Sequence, residues 1–166
     1  NILQITGGNP FYIEEWIAYI NNYQMKHDQS VEEIIKKSPP PTSLNSLILS
    51  RIDTLDKLSK SVLQSAAIMG MEFYGSILQS LQEKLQTGIK ISDVLNALIE
   101  KDLIYKGSID QYSFKHILAR DVIYEAILKS NRKMLHREIG YILEYNFTEN
   151  KNLFYYDLAE HFDKAE

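Results

Sequence analysis

The 166-residue chain contains no cysteine. Disulfides, thiolate metal sites and cysteine nucleophiles are therefore excluded, and the composition fits a reducing compartment. Long apolar runs are missing too: nothing approaches the roughly 18 residues that a membrane span needs, and no secretory signal pattern is visible. These absences predict a cytoplasmic protein that does not engage membranes. Positive charge is in short supply. Eighteen Lys and Arg stand against 22 Asp and Glu, for a net charge of −4, so the chain is a poor general binder of nucleic-acid phosphates. GxxxxGK(S/T), HExxH, GxSxG and Cys/His metal spacings do not occur, which removes the corresponding enzyme classes. His27, His116, His136 and His161 are scattered, and no two share a helical turn. No metal site is expected.

What is present is helical periodicity. At 166 residues and 45% hydrophobic content, the chain is the size of one domain or two small ones. Thr6-Gly-Gly-Asn-Pro10 breaks one segment and starts another, with Asn9 as N-cap and Pro10 at the first helical position. Phe11, Ile13, Trp16, Ile17 and Ile20 recur at helical spacing up to about Tyr23,. Gln24–Ser30 is expected to be a loop and Val31–Lys37 a short helix. Pro39-Pro40-Pro41 then forms a rigid stop. Thr42 or Ser43 caps the next helix, with Leu44, Leu47, Ile48 and Ile52 on one face. A corner at Asp53–Asp56 leads to a helix from Leu58 that Gly70 ends.

Helices are next expected from about Tyr74 to Lys84 and, capped by Ser92, along Val94, Leu95, Leu98 and Ile99. Leu103–Lys106 and Gln111–Phe114 flank Gly107-Ser-Ile-Asp110, the pattern of a hairpin with a four-residue loop. Helix, helix, helix, hairpin is the winged-helix order. Helices over about Ile117–Leu128 and Asn131–Tyr145 follow, the longer one burying Met134, Leu135, Ile139, Ile142 and Leu143. A last amphipathic segment starts near Leu153. The fold class expected is mainly α with one small β-hairpin. Since the chain opens on Asn1 without Met and ends inside a helical pattern, it is expected to be a segment of a longer protein.

Ser113–Glu125 is the most informative stretch. It leaves the hairpin and opens a helix, placing His116 at a helix mouth, where outward-pointing N–H groups can hold a phosphate. Without a phosphate loop, such a site would serve a nucleotide held mainly elsewhere. The carboxylate pairs Glu14-Glu15 and Glu32-Glu33 point about 100° apart on a helix and are expected to be solvated. Arg51 and Asp53 are expected to provide a structural ion pair and a helix end. The helix in the groove-reading position of a winged helix, Ile91–Lys101, carries Asp93 and Glu100, and the wing carries Asp110. Both would repel a duplex. The basic cluster Lys129, Arg132, Lys133, His136 and Arg137 is expected to form a solvated face or helix–helix salt bridges.

Four collinear segments resemble one family. Gly7-Gly-Asn-Pro-Phe-Tyr-Ile-Glu-Glu15 is similar to the GNPFFLEE segment of the STAND-class AAA-like ATPases, which act in signal transduction. Pro41–Asp53 resembles their PPTLxxLIxxRID segment, Val62–Gly70 their VLxxAAVxG helix, and Phe114-Lys-His-Ile-Leu-Ala-Arg120 with Tyr124 their FxHxLxRxxxY winged-helix motif. The flavour is that of members linked to nucleotide cyclases and transcription regulators. The resemblance implies a helical lid over 1–55, a winged-helix domain over 56–128, and C-terminal helices over 129–166 leading into a TPR-like array. It also implies ATP or ADP, with Mg held by an upstream phosphate-loop core that this segment lacks. The segment alone would then carry no catalytic residue and no ATPase activity, although its parent would be an NTPase.

The implied nucleotide-binding residues are Gly8, Asn9, Pro10, His116 and Arg120. Gly8-Asn9-Pro10 would match a GxP element packed near the adenine, or would simply start a helix. His116 would match a histidine that meets the ADP β-phosphate, although Lys115 and Ile117 stand where related switches carry Met and Asp. Its alternative is a half-buried helix cap. Arg120, one turn on, would support a phosphate or pair with a carboxylate. The implied partners are the core in cis, the downstream array, and other proteins or a second copy. The rivals are a protein-interaction scaffold without a nucleotide and, less favoured by charge, a DNA-binding regulator.

Overall fold

A computed structural model describes residues 6–27, 30–37, 41–88, 90–146 and 151–166. Among them lie nine helices and a three-stranded antiparallel sheet. The chain divides into two compact units, Asn1–Leu55 and Asp56–Glu166. Among the described residues, no helix is long and apolar enough to cross a membrane.

The first unit holds α1 (Pro10–His27), α2 (Val31–Lys37) and α3 (Leu44–Ile52). Gly7 and Gly8 turn the chain through positive φ, and Asn9 Oδ1 then accepts from the Tyr12 N–H at 3.3 Å, a side-chain N-cap. The buried face of α1 is Tyr12, Trp16 and Ile20, packed with Ile34 and Leu47. Ile17 is exposed instead, because the i, i+4, i+8 row turns it outward. The helix runs one turn beyond the expected Tyr23, to His27, so polar composition in Gln24–His27 does not mark a loop. Asp28 and Gln29 of that loop and the Pro39-Pro40 stop lie outside the described residues. Ser30 and Glu33 exchange 3.3 Å bonds between side chain and backbone N–H, the reciprocal capping box that starts α2. Ser43 caps α3, its Oγ accepting from Ser46 N–H. Glu15 is not solvated: it is buried and paired with Arg51 at 2.5 Å.

The second unit runs α4 (Lys57–Met69), β1 (Glu72–Tyr74), α5 (Gly75–Lys84), α6 (Ile91–Glu100), β2 (Ile104–Lys106), β3 (Gln111–Phe114), α7 (Ile117–Ala126), α8 (Lys129–Asn146) and α9 (Lys151–Asp163). Asp56 caps α4 through Leu58 and Ser59. The expected hairpin forms, with Ile104 opposite Phe114 and Lys106 opposite Tyr112. A third strand, β1, was not foreseen. It pairs with β3, Phe73 opposite Tyr112, which makes β3 central. Three residues are too few to show alternation; what fixes them is Phe73, buried against Phe114 at 5.6 Å between ring centroids.

Two helix starts are capped from elsewhere in the chain. Ser76 N–H donates to the Asp110 carboxylate at 3.1 Å and Gly75 N–H to the Asp110 carbonyl at 3.0 Å. Asp110 thus pins the wing to the start of α5. A side chain at Gly75 would meet Asp110 Oδ1 at 2.8 Å. Helix α6 starts at Ile91, before the expected Ser92, because the buried Ile91 donates its N–H to Gln79 Oε1 of α5 at 3.2 Å. Helix α8 lays Leu135, Ile139, Ile142 and Leu143 against Ile68, Ile77 and Leu81. Met134, expected inside, is 40% exposed. Residues 129–166 are therefore part of the same compact unit as 56–128.

Breaking a buried ion pair strands the remaining charge, so Arg51→Ala should destabilise the first unit by about 3 kcal/mol. Urea unfolding followed by Trp16, the chain's single tryptophan and part of that unit's core, reads this directly. Asp110→Ala should cost the second unit about 1 kcal/mol through the lost cap, with Asp110→Asn largely preserving stability in thermal unfolding followed by circular dichroism.

Candidate functional site

Helix α7 presents His116, Arg120 and Tyr124 one turn apart, in register down one side,. His116 is its N-cap, with extended backbone (φ −138°, ψ 132°) and a half-buried side chain. The His116 carbonyl accepts from Ala119 and Arg120 N–H at 3.1 and 3.2 Å, closing the first turn. Beside it, Lys115 is ion-paired with Asp102. Ile117 and Leu118 follow, 60% and 46% exposed. The helix mouth is therefore a half-buried imidazole at the positive end of a helix dipole, bordered by exposed apolar side chains.

Arg120 turns toward its own unit. Its Nε donates to the Ala67 carbonyl at 2.9 Å, one of the carbonyls that the last turn of α4 leaves without an intrahelical partner. Its terminal nitrogen meets Asp121 at 3.0 Å, and its guanidinium lies 4.9 Å from the Tyr124 ring centroid. Arg120 thus pairs with a carboxylate, and the side chain also straps α7 to α4. Gly8, Asn9 and Pro10 belong to the first unit, where they turn the chain and start α1. His116 and Arg120 belong to the second.

Below Arg120 lies a cluster that sequence reasoning missed. Tyr124 Oη is 3.1 Å from His136 Nε2 of α8, and His136 Nδ1 is 2.8 Å from His161 Nδ1 of α9. Both histidines are buried. The separation of 25 residues hides the pair, and His136 stands in a basic cluster that reads as a solvated face or as helix–helix salt bridges. The usable signal was phase: His136 shares a helical row with Ile139 and Leu143, and His161 with Leu158 and Ala165,. Arg132 and Lys164 also approach the Tyr124 ring, at 4.9 and 5.8 Å, while keeping carboxylate partners in Glu125 and Glu160. Burial, reinforced for His136 by His161, Lys164 and Arg120, pushes both imidazoles down to about 4. They are neutral at pH 7. Among the described residues, no cluster of three or more potential ligands could hold a metal ion.

The groove-reading position of the winged helix is acidic, as expected. The exposed positions of α6 are Ser92, Asp93, Asn96 and Glu100. Asp110, by contrast, is spent on capping α5 and is not a free wing-tip charge.

Tyr124→Phe should leave His136 Nε2 buried without its partner and destabilise the second unit by about 1–2 kcal/mol, seen as a lower urea midpoint in circular dichroism at pH 7.

No family model matches the chain, and no solved structure matches it. An uncharacterized protein of Rhizobium meliloti (strain 1021) is similar, at 24% identity over 165 residues, covering 98% of this chain and 16% of that protein. The chain thus spans about one sixth of the length of the relative it matches.

Proposed function

We propose that this chain is the lid and winged-helix portion of a signal-transduction ATPase of the STAND class. In this reading an upstream phosphate-loop core, with its Mg, holds ADP or ATP. Residues of this segment close over the nucleotide and pass its state to an output domain such as a nucleotide cyclase. The segment contributes regulation and not catalysis. Downstream, α9 would lead into a TPR-like array.

The observation that carries the reading is the mouth of α7. His116 stands half-buried at the helix N-terminus, where backbone N–H groups and the dipole favour an anion. Exposed Ile117 and Leu118 beside it are suited to a protein surface closing over the same place. The element order of the second unit and the glycine-turned, Asn9-capped start of α1 support the same reading. Charge-assisted bonds to a phosphate are the strong kind. Their loss on exchange of ADP for ATP would release the winged helix as a body, provided the two states bind the nucleotide differently.

The acidic exposed face of α6 favours a second reading, in which the winged helix docks proteins and no nucleotide is involved. It also disfavours duplex DNA.

The test is ADP retention by the longer natural protein containing this segment, compared with its His116→Ala variant. The proposal expects tight ADP in the wild type and at least a tenfold weakening in the variant, about 1.4 kcal/mol. Absence of nucleotide from both would leave the interaction scaffold.

A further inference from the structure

The His136–His161 contact joins α8 to α9, and it sits within an apolar contact between the two helices. Leu158 packs on the core cluster, and Ala165 is buried. Phe162 lies over Gly140, where an added Cβ would stand 3.1 Å from the ring, and edge-on to Tyr141 at 5.6 Å. At the end of α9, Lys133 of α8 donates to the Glu166 backbone carbonyl. The remaining visible face of the helix, including Tyr156, Ala159 and Glu160, is exposed.

The proton count at that contact is restrictive. Two ring nitrogens 2.8 Å apart admit one hydrogen between them, donated by one neutral imidazole to the lone pair of the other. One additional proton can be carried only if both Nε2 atoms hold hydrogen, which obliges Tyr124 to accept from His136. A second additional proton sets N–H against N–H. The surroundings give these charges little help. From α7 the pair faces Arg120 and Tyr124, and from α9 Asp157, Glu160 and Lys164, while Arg132 of α8 lies over the Tyr124 ring. From β1, Glu72 joins Asp157 and His161 around a cavity of about 40 Å³. Glu160 favours protonation of both histidines, but it is already bonded to Lys164.

We propose that the His136–His161 contact is an acid-released latch: α9 docks on α8 only while the pair is neutral, and protonation of the pair frees it. Release uncovers His136 and Gly140 on α8, which are buried beneath the docked helix. The sign follows from the lowered affinity for protons. Burial holds the docked imidazoles down at about 4 against an ordinary 6.5, so between these values the undocked state, with both rings in water, binds more protons. Docking is fully favoured above about pH 6.5 and weakens as the pH falls toward 4. At pH 5 the pair therefore shifts the equilibrium toward release.

Hydrogen exchange on the 166-residue chain tests this through the α9 amides from Tyr156 to Asp163, corrected for intrinsic exchange. Between pH 7.5 and 5.0 the wild type should lose protection there by at least tenfold, about 1.4 kcal/mol. A His136→Leu/His161→Leu variant, apolar at both positions, should lose that pH step. Gly140→Ala should loosen α9 to a similar degree at both pH values. Unchanged wild-type protection at pH 5, or the same step in the double variant, would overturn the latch. Should the double variant not fold, proton NMR titration of the wild-type imidazoles decides. Titration near 6.5 with α9 still protected overturns the proposal; titration below pH 5 together with loss of protection supports it.

Discussion

The second unit depends on the seam where α8 lies against α4 and α5. Leu135, Ile139, Ile142 and Leu143 fill it against Ile68, Ile77 and Leu81. Burial of side chains of this size is worth about 1.5–3 kcal/mol each, more than any cap or exposed ion pair in the unit. The seam makes the helices after the wing part of the winged-helix body. It also fixes α7, whose Arg120 reaches the end of α4 while Tyr124 reaches His136. A movement at the mouth of α7 consequently has packed neighbours on both sides.

The polar groups are layered on that seam. Arg120 satisfies a carbonyl that the end of α4 cannot satisfy itself,. Tyr124 carries the chain of contacts to His136, and His136 carries it to His161. Burial keeps both imidazoles neutral, so the row is a hydrogen-bonded structural element at pH 7 and becomes costly only when protons are added. Position therefore separates His116 from the other two. It sits half-buried at a helix mouth, whereas His136 and His161 are enclosed between helices.

The helices were legible in the sequence wherever caps and apolar rows agreed. Asn9-Pro10 and Ser43 marked starts that the chain uses, and the spacing around Gly107–Asp110 marked the hairpin. What escaped was set by partners distant in sequence. Strand β1 exists because Phe73 is buried beside Phe114 and pairs opposite Tyr112, about 40 residues on. The starts of α5 and α6 rely on Asp110 and Gln79. Glu15 looked like half of a solvated pair because its cation, Arg51, lies 36 residues away. His136 and His161 were passed over for the same reason. At the α7 site, the helix mouth at His116 and the place of Arg120 one turn on were legible, but not the Ala67 carbonyl that Arg120 holds.

The central claim is that the first turn of α7 senses a nucleotide phosphate held by another part of the protein. The direct measurement is hydrogen exchange at the Ile117 and Leu118 amides in this segment joined to the proposed upstream core, ADP-loaded against nucleotide-free. These are helix-start N–H groups without an intrahelical acceptor. A phosphate seated at the mouth should slow their exchange at least tenfold while leaving the Leu135–Leu143 seam unchanged. Identical exchange in the two states would contradict the account and leave the winged helix as a protein-docking body.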